Sequence, residues 1–276
     1  MPLRKPPTRL SRAAACCAAA QALFLLASSG AACAQGRGPR YVEPTPIDFQ
    51  EHPGWQSMFD GTSLKGWDGP RDVWRAENGE IVAQSTAANP TGTTYLIWEG
   101  GQPANFEFKA EIKLDGQGSN SGIQFRATKV GEVPDRKYSK WDLRGYQADF
   151  DLQNTNTGAL IECCAGSRRG VPPRPDRAFR GQVVRAAIAN GEKPSLIGTT
   201  GDPEQLKSCI KVGDWNQIHL IARDRTMMYF INGYLMSVFL DDHPTMYVGH
   251  GFLAVQLEGR GEIAVHFRNL WLKNLP

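Results

Sequence analysis

Helical periodicity is the first thing this chain lacks. Outside the single turn's worth at DPEQLKSC (Asp202 to Cys209), no segment repeats apolar residues at i, i+3, i+4 and i+7, so helices should be few and short. A strong charge is missing too. The formal net charge is +3, and the basic residues are scattered except around Arg168, Arg169, Arg174, Arg177 and Arg180, which leaves no nucleic-acid footprint. The five histidines, His52, His219, His243, His250 and His266, make no H-x-x-x-H spacing, and His219 and His266 fall in the middle of strand-like runs, where structural roles are usual.

Cysteine is sparse where it would count. Cys16, Cys17 and Cys33 lie in the first 34 residues, which leaves Cys163, Cys164 and Cys209 for at most one disulfide and one spare thiol. Their spacing fits no zinc pattern, and vicinal Cys163 and Cys164 alternate faces in a strand, so only one of them can face Cys209. There is no internal repeat, and after the leader no apolar run is long enough for a membrane-spanning helix.

What is present begins with a leader. MPLRKPPTRLSR is basic, the following AAACCAAAQALFLLASSGAA is apolar, and Ala32-Cys33-Ala34 supplies small residues for cleavage before Gln35. Residues 1–34 read as a secretory signal cleaved after Ala34, which implies a periplasmic or secreted protein. Residues 35–53 are rich in Gly and Pro without a period and read as an extended arm, which leaves 54–276 as one domain. Roughly 240 mature residues is a common size for a single β-sandwich.

Period-2 alternation dominates the rest. NFEFKAEIKL (105–114) alternates without error, and SGIQFRA, GYQADFD, TGALIEC, WNQIHLIAR, GFLAVQLEG and EIAVHFRNLWLK follow the same rule. Asn78-Gly79 and Asn232-Gly233 sit between apolar stretches as hairpin turns. Many short strands with regular turns predict an all-β fold: two antiparallel sheets packed as a jelly-roll sandwich. Ser167 to about Lys211, with weaker periodicity, reads as a long loop or excursion.

The polar faces are of two kinds. NFEFKAEIKL offers alternating Lys and Glu, the ordinary choice for a solvated surface. Three other strands carry no Lys: SGIQFRA offers Gln124 and Arg126, GYQADFD offers Gln147, Asp149 and Asp151, and GFLAVQLEG offers Gln256 and Glu258. Their planar, forked groups suit fixed recognition of hydroxyl and carbonyl groups. Sugar sites add an aromatic surface, for which Trp74, Trp98, Trp141 and Trp271 are candidates. Asp149 and Glu258 are a candidate carboxyl pair for glycoside hydrolysis. Asp149, Asp151 and Asn154 are candidate ligands for calcium, so a divalent metal stays an open question, and no other cofactor is indicated.

In order along the chain, FDGTSLKGW, W-x-x-E-N-G-E-I, SNSGIQFR, GYQADFD, TGALIE, SRRG, GDWNQIHLIA, LAVQLEG and FRNLWLK resemble the family known as DUF1080, or 3-keto-disaccharide hydrolase. The resemblance runs from about Gly54 to Leu275. It implies a concanavalin A-like jelly roll, exported by bacteria, acting on glycosides whose C3 hydroxyl has been oxidised to a ketone, by hydrolysis or by lyase chemistry. It also implies site residues at matching positions: Asp149 or Glu162 as base, Arg126 or Arg169 on the developing enolate, and Gln147 and Gln256 on hydroxyls, while Arg268 serves equally well in an ion pair. Two departures stand out, since many members have His where Glu258 stands and Tyr where Ile161 stands. A lectin-like glycan-binding module and a conventional two-carboxylate glycanase are the competing classes.

Overall fold

The alternating runs form the strands they predict. In the computed structural model, which describes residues 48, 50–132, 134, 136–164, 176–189, 192–259 and 261–276, FEFKAEIKLD is one strand, Phe106–Asp115, with Phe106, Phe108, Ala110, Ile112 and Leu114 buried in the core. Asn78 (φ 52°) and Gly79 (φ 81°) turn the hairpin between Trp74–Glu77 and Glu80–Ser85, as an Asn-Gly pair in a tight hairpin must.

Two sheets result. The ten-stranded sheet runs Ser195–Thr199, Gln182–Arg185, Tyr234–Leu240, Thr226–Ile231, Asn216–Arg223, Phe106–Asp115, Ile263–Asn274, Glu80–Ser85 and Trp74–Glu77, with Gln56–Ser57 added beside Ile263–Asn274. The seven-stranded sheet runs Arg177–Ala178, Leu160–Cys164, Leu143–Asp151, Asn120–Lys129, Phe252–Glu258, Thr94–Trp98 and Trp67–Asp68. Pairing is antiparallel except between Gln182–Arg185 and Tyr234–Leu240, which run parallel. Apolar residues of both sheets interleave in one core, so this is a nearly all-β, two-sheet jelly-roll sandwich.

Two local expectations change. The segment from Ser167 to Lys211 is not a plain loop: its described part supplies three short strands and the helix Pro203–Ser208. Asp202 caps that helix by accepting from the Glu204 and Gln205 N–H groups, with Pro203 in the first turn. The Lys/Glu face of Phe106–Asp115 is not wholly solvated either. Lys109 is fully buried: its Nζ donates to the Asp48 and Glu51 carbonyls and lies over the Trp55 ring, and burial lowers its pKa. The leader, most of the arm, Arg168, Arg169, Arg174 and the Cys163 and Cys164 side chains lie outside the described residues. Cys209 is a free thiol.

Candidate functional site

Residues directly opposite one another on neighbouring strands share a face, so the register assembles the site. One row reads Asp149, Gly122, Gln256, Tyr95 across four strands of the seven-stranded sheet. On one side of it lies Asp151, Asn120, Glu258, and on the other Arg177, Ile161, Gln147, Gln124, Ala254, Ile97. This is the face turned away from the other sheet, because the intervening Ile123, Phe125, Tyr146, Ala148 and Leu160 are in the main core. Beyond the polar rows the same face becomes apolar, with Ile97, Ala127, Leu143 and Ala254 packed against Trp141 and Phe252. Of the four tryptophans, Trp74 and Trp98 are core, Trp271 stacks on His52, and Trp141 belongs to this face, its Nε1 donating to Asp68 Oδ1 at 2.7 Å.

The amides form a chain across the rows. Gln147 Nε2 donates to Gln256 Oε1 at 2.7 Å, and Gln256 Nε2 donates to Tyr95 Oη at 3.2 Å and Glu258 Oε2 at 3.3 Å. Gly122 makes that crossing feasible. A Cβ there would sit 2.6 Å from both Gln147 Nε2 and the Ala148 carbonyl oxygen. Gly122→Ala should therefore cost about 1–3 kcal/mol of overpacking strain and lower the thermal midpoint by several degrees, while separating the two glutamines. An unchanged melting curve would mean that the sheet absorbs the methyl group without moving Gln147.

Asp149 is the electrostatic centre. It is 5% exposed, and its Oδ1 accepts from the Phe150 N–H at 3.1 Å. Burial, followed by the negative charges of Asp151 and Glu258, pushes its carboxyl up to about 8, with the Phe150 N–H and the Arg177 guanidinium pulling weakly the other way. A carboxyl with such a pKa holds its proton at neutral pH and is a far stronger base than an ordinary carboxylate once it loses it.

Asp151 has a different task. Its Oδ1 accepts from the Thr155 N–H, and its Oδ2 accepts from those of Asn156 and Thr157, so it builds the turn that leads into the next strand. Asn154 Oδ1 is likewise taken by Arg180 Nη1. Oxygens filled by N–H donors do not form a calcium cage, and among the described residues no group of three or more His, Cys, Asp or Glu is placed to hold a metal ion.

Two residues named from the sequence fall elsewhere. Arg126 sits at a bulge with φ 46°, which turns it out of register with Gln124. Its fully buried guanidinium donates to the carbonyls of Ala104 and Asp224, to Asn105 Oδ1 and to Tyr247 Oη, none of them in the polar cluster. Glu162 lies opposite Tyr146, hence on the inner side of the sheet, and is paired with Arg144 at 2.9 Å. Arg169 is outside the described residues.

Gln124, Gln147, Asp149, Gln256 and Glu258 come together as expected, joined by Tyr95, Asn120 and Arg177. Tyr95 is hidden in the apolar run TTYLIW, whereas Asn120 was visible in SNSG and Arg177 in the unexplained basic cluster. Three of the histidines have structural partners: His219 meets Glu107, His266 meets Glu80, and His243 Nδ1 accepts from the Thr245 and Met246 N–H groups.

The sequence model of the 3-keto-alpha-glucoside-1,2-lyase-like domain matches residues 54–273. No curated protein matches the chain in sequence. Among solved structures, one from Parabacteroides distasonis assigned as a glycosyl hydrolase is 18% identical, with a TM-score of 0.47 over 81% of this chain and 95% of its own. A carbohydrate-binding module from Bacillus subtilis is 15% identical, with a TM-score of 0.39 over 80% of this chain and 96% of its own. A non-specific endo-beta-1,3(4)-glucanase from family GH16 is 10% identical, with a TM-score of 0.45 over 86% of this chain and 98% of its own.

Proposed function

The chain belongs to the 3-keto-alpha-glucoside-1,2-lyase-like domain family, and from that premise we propose an exported enzyme that cleaves 3-keto-glycosides at the polar face of the seven-stranded sheet. A carbohydrate-active role follows from the family. The observation that supports the finer reading is the buried Asp149 carboxyl, raised to about 8 at the end of the row that carries Gln256 and beside the negative charges of Asp151 and Glu258. Such a group suits removal of a weakly acidic proton from carbon, and that is what a 3-keto sugar offers at C2.

The steps balance on this chain's residues. Ionised Asp149 takes the C2 proton, and the C–H electron pair moves into the enolate of the C3 ketone. The Arg177 guanidinium, whose charge already reaches Asp149, is the described cation that offsets the new negative charge. The enolate then expels the C1 substituent and a C1=C2 double bond forms. The departing oxygen takes the proton that Asp149 now carries, giving a 2-hydroxy-3-keto-glucal and an alcohol. Addition of water across that double bond makes the overall change a hydrolysis. Gln147, Gln256 and Tyr95 hold the ring hydroxyls, and Glu258, bonded to Gln256, keeps the field at Asp149 negative.

The test is nitrophenol release from a nitrophenyl 3-keto-glucoside and from the unoxidised glucoside. Only the ketone-bearing compound should be cleaved. Cleavage of the plain glucoside would instead make this a two-carboxylate glycanase, and saturable glycan binding without cleavage of either would make it a lectin-like module.

A further inference from the structure

The outer face of the ten-stranded sheet, on the side of the sandwich away from Asp149, holds a cavity of about 730 Å³. That volume suits one or two sugar rings. Its floor is the row Gln217, Glu111, Arg268, whose neighbours Ala110, Ile112, Ile218 and Phe267 are core. Glu111 Oε2 accepts from Arg268 Nε at 2.8 Å and from Asn269 Nδ2 at 2.6 Å, and the Arg268 guanidinium carbon lies 4.0 Å from the centre of the Trp215 ring. The arginine that matches the family pattern is thus spent on an ion pair and on steadying an aromatic wall.

The opposite wall is fixed as firmly. Asn216 Nδ2 donates to the Lys211 and Asp214 carbonyls, and Asn232 Nδ2 donates to Cys209 O and Asn216 Oδ1, tying the segment from Cys209 to Trp215 onto the Asn232-Gly233 turn. The cavity is therefore preformed and needs little ordering when it is filled. Within it, the Gln217 amide and the Lys211 ammonium make no side-chain bond among the described residues, and Trp215 and Tyr234 supply aromatic surface. Lys211 and Arg268 balance Glu111 and Asp214 in formal charge, which disfavours phosphate, nucleic-acid or strongly acidic ligands. Donors, acceptors and aromatic rings at zero net charge are the chemistry of a neutral saccharide.

We propose that this cavity is a second, non-catalytic site that binds neutral saccharide units of a larger glycan. It lies apart from the polar cluster and does not rest on the proposed reaction. Calorimetric titration of the purified protein with laminarihexaose, cellohexaose and maltohexaose tests it, using the wild type, Trp215→Ala, Gln217→Ala and Asp149→Asn. At least one oligosaccharide should bind wild type and Asp149→Asn alike. Trp215→Ala should weaken that binding about tenfold or more, the scale of losing an aromatic anchor, yet cleave the nitrophenyl 3-keto-glucoside at the wild-type rate. Gln217→Ala, which leaves the ring in place, should weaken binding with an unchanged melting curve and so covers the case of a misfolded Trp215 variant. The proposal is overturned if no oligosaccharide binds, if both cavity variants bind like wild type, or if only Asp149→Asn loses binding.

Discussion

Asp149→Asn is expected to slow cleavage of the 3-keto-glucoside by about two to four powers of ten, the range for losing a general base. The substitution keeps size and hydrogen-bonding shape and removes only the ionisation. In the wild type, the base is active when ionised, so kcat/KM should climb with pH and level off above about 8, where the Asp149 carboxyl loses its proton. The residual rate of the Asn variant should lack that rise. A variant rate within a few-fold of wild type would take Asp149 out of the chemistry.

The same substitution should stabilise the fold at high pH. Because the folded pKa is raised from 3.8 to about 8, the folded chain holds this proton more tightly than the unfolded chain does. The contribution is fully present below about 4 and is lost as pH rises through about 8. Asparagine carries no such penalty, so the gain over wild type should grow between pH 5 and pH 9 and reach a few kcal/mol, as a shift of several pKa units implies. Thermal melts of the two proteins that stay parallel across that interval would contradict the raised pKa. Activity and stability would then pull in opposite directions at one residue, as is common where a charge is held out of water for chemistry.

Arg126→Ala should do the reverse, with a large loss of stability and little loss of intrinsic rate. The side chain is fully buried, and its removal strips donors from the Ala104 and Asp224 carbonyls and leaves a cavity where the guanidinium stood. Uncompensated buried acceptors and lost packing together place the cost on the order of 4 kcal/mol, or roughly 10 °C in a domain of this size. Well below its transition, the variant should cleave the 3-keto-glucoside within a few-fold of wild type. A hundredfold slower enzyme with an unaltered melting curve would restore Arg126 to the active site.

These cases also show where sequence reading succeeds and where it stops. Strict alternation in FEFKAEIKL and in GYQADFD was enough to place strands and to separate core-facing side chains from polar ones, because one face of each had to enter a core, but the polar sides are not simply wet: Lys109, Gln147, Asp149 and Asp151 are buried. The contrast between Lys/Glu and Gln/Asp composition was enough to single out Gln124, Gln147, Asp149, Gln256 and Glu258. Arg126 escaped because one backbone angle at a bulge cancels the period-2 rule that puts it beside Gln124, and no spacing announces that angle. Glu162 escaped because a strand of only five residues, Leu160–Cys164, can be read in either phase. Register places Ile161 in the outer row and Glu162 on the inner side, where Arg144 neutralises it. Lys109 looked solvated because the residues that cover it, Asp48, Glu51 and Trp55, are more than fifty positions away in sequence.

The chain of amides from Gln147 through Gln256 to Tyr95 has a consequence for the medium in which the protein works. Its members are dipoles and not ions, so their hydrogen bonding is nearly blind to ionic strength, whereas long-range attraction between exposed charges fades beyond about 8 Å in physiological salt. On the proposed reading, substrate affinity at this face should therefore change little between dilute and salty buffers.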